Sequence, residues 1–358
     1  MNDARAERLL EELVRIPSPS REERDAVQFL TRELADLGFE SEIDAAGNAV
    51  GRIGGQGPRL CLLGHIDTVP GEVPVERRDG ALYGRGTVDA KGPLVAFVVA
   101  AARAAARGEL AARVEIVGCV EEECSTSAGA HHRAAGPAPD AVIVGEPSGS
   151  DALTLGYKGY LRARLSRREP VAHTAAEAPS VAALAARTFV EIEQAARELD
   201  GDRAALYERV LVHLAHLDVR SDALHERAEL DVRLRLPERL PPTAAASWLA
   251  EQAPGWDLVT EGGLPAWSGP RDSGLVRLLS RAIARGGNRA RHLRKTGTAD
   301  LNIVAPAWGC PALAYGPGDS SLDHAPDEHV PLAEFHRGCA TLERLLVDGA
   351  LSGLVSAP

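Results

Sequence analysis

Short, unbroken runs of Val, Ile and Leu, each followed by a polar loop, constrain this fold most. Residues 59–64, 113–120 and 141–144 are such runs. Apolar runs of this length read as strands buried on both faces. Residues 91–107 lie between two of them and read as a helix. Strands alternating with helices predict an α/β architecture, an open twisted mixed sheet with helices on both faces. Two helices precede it. Leu9, Leu10, Leu13 and Val14 recur at helical spacing until Pro17-Ser18-Pro19-Ser20 stops the run. Val27, Phe29, Leu30, Leu34 and Leu37 carry the second helix to Gly38. Ser20, with Glu23 three residues on, predicts a capping box at its start.

The pattern changes near Leu155. Residues 159–167 alternate as a strand, 180–199 form a long amphipathic helix, and 209–217 and 227–236 alternate again. A helix over 242–252 and a strand over 257–260 follow. Strand, helix, strand, strand, helix, strand is a ferredoxin-like α+β unit. We therefore expect a domain at 157–267 inserted between a first part, 1–156, and a second part, 268–358, which ends in a helix over 332–347.

Composition excludes several function classes. Forty Lys and Arg against 51 Asp and Glu give a net charge of −11, which argues against a general nucleic-acid binder. No apolar run is long enough to span a membrane, and the start lacks a signal segment. Five cysteines without a C-x-x-C pair argue against a disulfide framework and fit a reducing cytoplasm.

Metal-binding side chains concentrate after the strands. Gly64-His65-Ile66-Asp67 follows the first, so His65 and Asp67 point the same way at period two. Alone, His65 also reads as an ordinary structural histidine. Asp89, in Gly84-Arg85-Gly86-Thr87-Val88-Asp89, alone reads as the N-cap of the next helix. Glu121-Glu122-Glu123 reads either as a solvated turn at a helix start or as a metal ligand beside a free base. Gly145-Glu146-Pro147 and the segment Asp319 to His329, with His324, complete the set. Together they put His, Asp and Glu at the strand ends, where open α/β sheets bind ligands. Carboxylates and imidazoles without thiolates suit a catalytic zinc or related ion.

In these segments, and in Ile16-Pro17-Ser18-Pro19-Ser20, the chain resembles the co-catalytic zinc amidohydrolases. That family includes acetylornithine deacetylase, succinyl-diaminopimelate desuccinylase, aminoacylase and the glutamate carboxypeptidases. The resemblance covers essentially the whole length and implies a cytoplasmic enzyme with two zinc ions per subunit, for which cobalt can substitute. It implies that His65, Asp89 and Glu146 hold one ion, and that Asp89, Glu123 and His324 hold the other with Asp89 bridging. Asp67 would orient His65, and Glu122 would be the general base. In the alternative register the base and ligand are Glu121 and Glu122. The inserted domain would be the dimerisation, or lid, domain. Its His173-Thr174-Ala175 resembles the family's His-Ser-Ala, whose histidine polarises the scissile carbonyl in the partner subunit. Asp231-Val232-Arg233 matches another family segment, with a structural role for Arg233 or, alternatively, substrate carboxylate binding. Glu146, in place of aspartate, points to the deacylase and carpoxypeptidase side of the family.

Narrower strings are similar to one branch: Gly156-Tyr157-Lys158-Gly159, Lys295-Thr296-Gly297-Thr298-Ala299-Asp300 and Tyr315-Gly316-Pro317-Gly318-Asp319. This branch releases lysine, and in some organisms ornithine, from the C-terminal glutamate of a small acidic amino-group carrier protein. The resemblance places Lys295, Thr298 and Asp300 close to substrate. Arg281, Arg285, Arg289, Arg291, Arg294 and Lys295 follow one another with no acid among them. They read either as a solvated basic face or as a docking patch for the acidic carrier. The alternatives are a small-molecule deacylase acting on acetylornithine, acetyl-lysine or succinyl-diaminopimelate, and a non-catalytic binding protein that keeps the fold.

Overall fold

A computed structural model describes residues 1–354 except 174 and 176. The chain divides into two compact units. One holds Met1–Gly156, Ser268–Arg294 and Ala299–Pro358, and the other holds Tyr157–Trp267 with Lys295–Thr298.

The first unit is built on a mixed sheet. Its strands run in the spatial order Glu40–Ile43, Ala49–Ile53, Arg113–Cys119, Arg59–His65, Ala141–Gly145, Ala312–Ala314 and Ala152–Tyr157. The strands from Arg113–Cys119 to Ala312–Ala314 are parallel neighbours. Ala49–Ile53 and Ala152–Tyr157 join antiparallel on either side. Side-chain alternation sends Leu60, Leu62, Val114, Ile116 and Ile143 into one large core with the helices Asp3–Val14, Arg24–Asp36, Lys91–Ala106 and Leu332–Leu346. Cys61, Leu63, Val117, Val142 and Val144 are also buried, on the opposite face, where helices Ala128–Ala134 and Leu301–Trp308 pack. Burial of both faces explains why these strands are continuously apolar. Lys91–Ala106 is buried on nearly every side, which its Ala and Val content permits.

Two local expectations fail. Arg24–Asp36 has Glu23 at its N-cap, with no side-chain cap, so the Ser20 capping box does not form. The Ser20 hydroxyl donates instead to Asp67 Oδ2 at 2.7 Å. Glu23 turns away to accept the N–H groups of Arg21 and Glu121. Asp89 does not cap the helix Lys91–Ala106 either. Ala90 takes that position, and the Asp89 carboxylate is engaged elsewhere.

The second unit is a four-stranded antiparallel sheet in the order Leu211–Ser221, His225–Leu236, Gly159–Pro170, Asp257–Leu264, with helices Val181–Asp200 and Pro242–Gln252. This is the ferredoxin-like arrangement. Leu161, Ala163, Leu165, Ala228, Leu230 and Val232 alternate onto the face that packs with the helices. All four strands run further than their apolar alternation predicts, because backbone pairing continues through polar residues such as Arg220, Glu169 and Glu261.

Candidate metal centre

Every expected metal ligand lies in the first unit. His65 ends the strand Arg59–His65 and is 2% exposed. Its Nδ1 lies 2.9 Å from the Asp67 carbonyl oxygen. A carbonyl only accepts, so Nδ1 donates its hydrogen there and Nε2 is left for a metal or a second proton. Nε2 faces Asp89 Oδ1 at 3.2 Å. The other oxygen, Asp89 Oδ2, faces His324 Nε2 at 3.1 Å, and the same nitrogen lies 3.0 Å from Glu123 Oε1. Asp89 thus presents one oxygen to each imidazole.

Acceptor atoms this close need a cation between them. In the metal-free chain a proton fills that role. Burial disfavours a charged His65, but the bonds to Asp67 and Asp89 and the charge of Glu122 outweigh it and hold His65 well above the usual histidine range. Bonds to Asp89 and Glu123 lift His324 to about 10. The donor set equally fits a metal. One ligand atom each from His65, Asp89 and Glu123 lies within 4.8 Å of the others, and all are nitrogen or oxygen.

Glu146 leaves the sheet at the same end. It follows Gly145, which pairs with Gly64 beside His65. Its charge helps raise Glu122. Burial is the main cause of that rise, with Asp300, Glu146 and Glu123 adding to it, so the Glu122 carboxyl is held well above the ordinary range. A carboxyl raised in this way is suited to take up a proton and release it again. Glu121 points elsewhere: its carboxylate bonds the Thr126 hydroxyl and lies 3.8 Å from Arg21.

Asp67 fastens the acidic loop to the sheet. Fully buried, it accepts the Glu122 N–H at 3.1 Å on Oδ1 and the Glu123 N–H at 3.0 Å on Oδ2. Burial opposes its ionisation, yet these bonds and His65 keep its pKa lowered. Two further anchors escape sequence reasoning. Asn48, fully buried, accepts the Val120 N–H and donates to the Gly129 carbonyl. Glu328, also fully buried, binds the loop that carries Asp89. Only its place in the Asp319 to His329 segment could have drawn attention to it.

Other expected residues lie outside this cluster. Asp300 is 2% exposed and near His65 and Asp67, and burial lifts its carboxyl to about 7. Thr298, in the second unit, accepts from Arg235 at 2.6 Å and donates to the Lys158 carbonyl at 3.2 Å. Lys295 sits 6.0 Å over the Tyr157 ring. Arg233 is exposed, opposite Arg162 in the sheet register. His173 is exposed and its Nδ1 accepts the Ala175 N–H at 3.1 Å, while Thr174 lies outside the described residues. The basic segment is partly neutralised. Arg281 and Arg285 share Asp348, at 3.9 and 3.2 Å, and Arg291 pairs with Asp151 at 2.7 Å. Acids distant in sequence therefore blunt a patch that looked purely basic.

Known proteins resemble the chain over most of its length. Residues 61–348 match the model of peptidase family M20/M25/M40. The LysW-lysine hydrolase of Deinococcus radiodurans is 41% identical over 352 residues, covering 96% of this chain and 97% of that protein. A protein of Thermococcus kodakarensis described as a LysW-lysine/LysW-ornithine hydrolase is 39% identical, covering 91% of this chain and 87% of its own. Among solved structures, an M20 family metallo-carboxypeptidase from Sulfolobus solfataricus superposes with a TM-score of 0.80 at 17% identity, over 97% of this chain and 99% of that one. The chain belongs to peptidase family M20/M25/M40.

Proposed function

We propose that this protein is a two-metal amidohydrolase that releases lysine, or ornithine, from the C-terminal glutamate of an acidic amino-group carrier protein. Membership of its family makes it a metal-dependent hydrolase of an amide bond. The observation that carries the reading is the convergence of His65, Asp89, Glu123 and His324 beside Glu122. The names of the relatives from Deinococcus and Thermococcus support the carrier-linked substrate.

His65, Asp89 and Glu146 would hold one zinc ion, and Asp89, Glu123 and His324 the other, with cobalt able to replace zinc. The opposed oxygens of Asp89 support its bridging role. Bound ions would supply the Lewis-acid charge that polarises the amide carbonyl and acidifies water. Glu122 takes the proton from the attacking water on its carboxylate and passes it to the leaving amine nitrogen. The placement of Glu121 on Thr126 and Arg21 supports the Glu122–Glu123 register. Asp67 holds His65 and both glutamates in place.

The second unit is assigned to dimerisation. Its strand Leu211–Ser221 lies at the sheet edge, with Leu217 and Val219 exposed on it. His173 would serve the partner's site by polarising the scissile carbonyl, and Arg233, Lys295, Thr298 and Asp300 would lie on the substrate side. The five cysteines are free, which supports a cytoplasmic setting. No described helix is long and apolar enough to cross a membrane.

Partial neutralisation of the basic segment favours one second reading, a deacylase of small acyl amino acids. Rates on carrier-linked lysine, carrier-linked ornithine, acetyl-lysine and acetylornithine, compared at equal enzyme, separate the two. The carrier reading requires a higher kcat/KM on a carrier conjugate. Faster cleavage of an acetylated amino acid overturns it.

A further inference from the structure

Glu328 is a buried carboxylate that sits between His324 and the short strand His329–Pro331. Its Oε1 accepts three backbone N–H groups from one loop: Gly86 at 2.9 Å, Val88 at 2.9 Å and Asp89 at 3.1 Å. Its Oε2 accepts Arg85 Nη1 at 2.8 Å, which pairs the charge. Arg85 also donates to the carbonyls of Gly71 and Ala325, each at 3.2 Å. The Gly84 N–H donates to the backbone carbonyl of Glu328 at 3.1 Å. Residues 84–89 therefore wrap one buried carboxylate, and the last amide in the wrap is that of Asp89.

Converging backbone N–H groups form a concave anion site, and hydrogen bonds to a charged acceptor are roughly twice as strong as neutral ones. The loop permits this because Gly86 adopts φ +89°, and a Cβ there would meet Thr68 Cγ2 at 3.0 Å. An ion pair with Arg85 alone would not need three amides of the loop that ends at Asp89. The same short segment supplies His324, whose Nε2 meets Asp89 Oδ2 at 3.1 Å. The segment that carries Glu328 thus also carries the histidine that faces Asp89.

We propose that Glu328 is a positioning residue for Asp89. It holds the 86–89 backbone so that the two carboxylate oxygens face His65 and His324 in the geometry a metal pair needs. This inference rests on the reading of Asp89 as a metal ligand.

The test is Glu328→Gln in the full chain. Glutamine can offer its oxygen to the three N–H groups only by turning its NH2 onto Arg85. Zinc affinity is measured by chelator competition, the cobalt-loaded protein by its visible absorption, and the 84–89 amides by hydrogen exchange. The expected result is a zinc Kd at least ten-fold weaker, an altered cobalt spectrum and faster exchange confined to that loop, with the remaining amides protected as in wild type. A folded Glu328→Gln protein with wild-type zinc affinity and cobalt spectrum overturns the proposal. If that variant does not fold, Arg85→Lys, which leaves the carboxylate in place, carries the test: a zinc Kd three-fold weaker or more supports it, and an unchanged Kd overturns it. A wild-type chain that binds neither zinc nor cobalt defeats the metal-site reading itself, and this inference with it. Metal binding by wild type with unchanged variants defeats only the role of Glu328.

Discussion

Asp67 and Glu122 are joined through the backbone: the Glu122 N–H donates to Asp67 Oδ1 at 3.1 Å, while Asp67 Oδ2 takes the N–H of Glu123. The proposed base and its neighbouring ligand are thus hung from one carboxylate that also lies 3.5 Å from His65 Nδ1. Asp67→Asn keeps the shape but removes one acceptor, leaving a buried N–H without a partner. We expect a stability loss of about 1–3 kcal/mol by urea unfolding. We also expect activity or metal affinity to fall about 10–100-fold, as for other groups that orient metal ligands. Wild-type values on both measurements would contradict the anchoring role.

Glu122→Gln separates chemistry from metal binding. The variant should retain metal, measured by elemental analysis, while kcat drops about 10²–10⁴-fold, the scale of general acid–base catalysis. Glu121→Gln should leave kcat within a few-fold of wild type, since that carboxylate faces Thr126 and Arg21. The reverse pattern would move the base to Glu121.

The metal-free chain should show a distinctive pH response. The bonds to Asp89 and Glu123 raise His324 in the folded state to about 10, against an ordinary value of 6.5. A raised folded value stabilises the protonated form, so this contribution is complete below about pH 6.5 and fades as pH rises towards 10. Urea midpoints of the metal-free wild type should fall across that window relative to those of His324→Gln. Zinc must displace the same proton, so binding at pH 7 should release protons and tighten as pH rises. Calorimetry in buffers of different ionisation enthalpy measures the release. Zinc binding without it would mean that His324 is not displaced from its proton and is not a ligand.

The proposed role of His173 across a dimer makes an assembly prediction. Mixing inactive His173→Ala with inactive Glu122→Gln protomers should restore part of the activity, because one site in each mixed dimer has both groups. Heterodimers demonstrated by mass spectrometry but lacking activity would show that His173 does not act in the neighbouring site.

His65, Asp89, Glu123 and Glu146 were legible in the sequence because they follow an apolar strand or stand just before a helix, and parallel strands bring such ends together, whereas His324 lies in a loop. The three central strands and the long helices of the first unit, and the strands and helices of the second, were legible in the same way, whereas the short strands Glu40–Ile43, Ala49–Ile53, Ala152–Tyr157 and Ala312–Ala314 were not. What escaped depends on partners far apart in the chain. Ser20 looked like a helix cap, but the helix begins four residues later and the hydroxyl donates to the buried Asp67 carboxylate. Arg281 and Arg285 looked like free cations until Asp348 lay beside them. The burial of Asp300 follows only from packing around the helix Leu301–Trp308. Glu328 was visible as a residue but not as an anchor, because its three amide donors lie about 240 residues earlier in the chain.

Zinc stoichiometry tests the central claim most directly. Native mass spectrometry of the metal-free wild type titrated with zinc should show two ions per chain, and Asp89→Ala should retain neither, because its carboxylate serves both positions. A wild-type chain that takes up no zinc, or an Asp89→Ala chain that still binds two ions, would contradict the account.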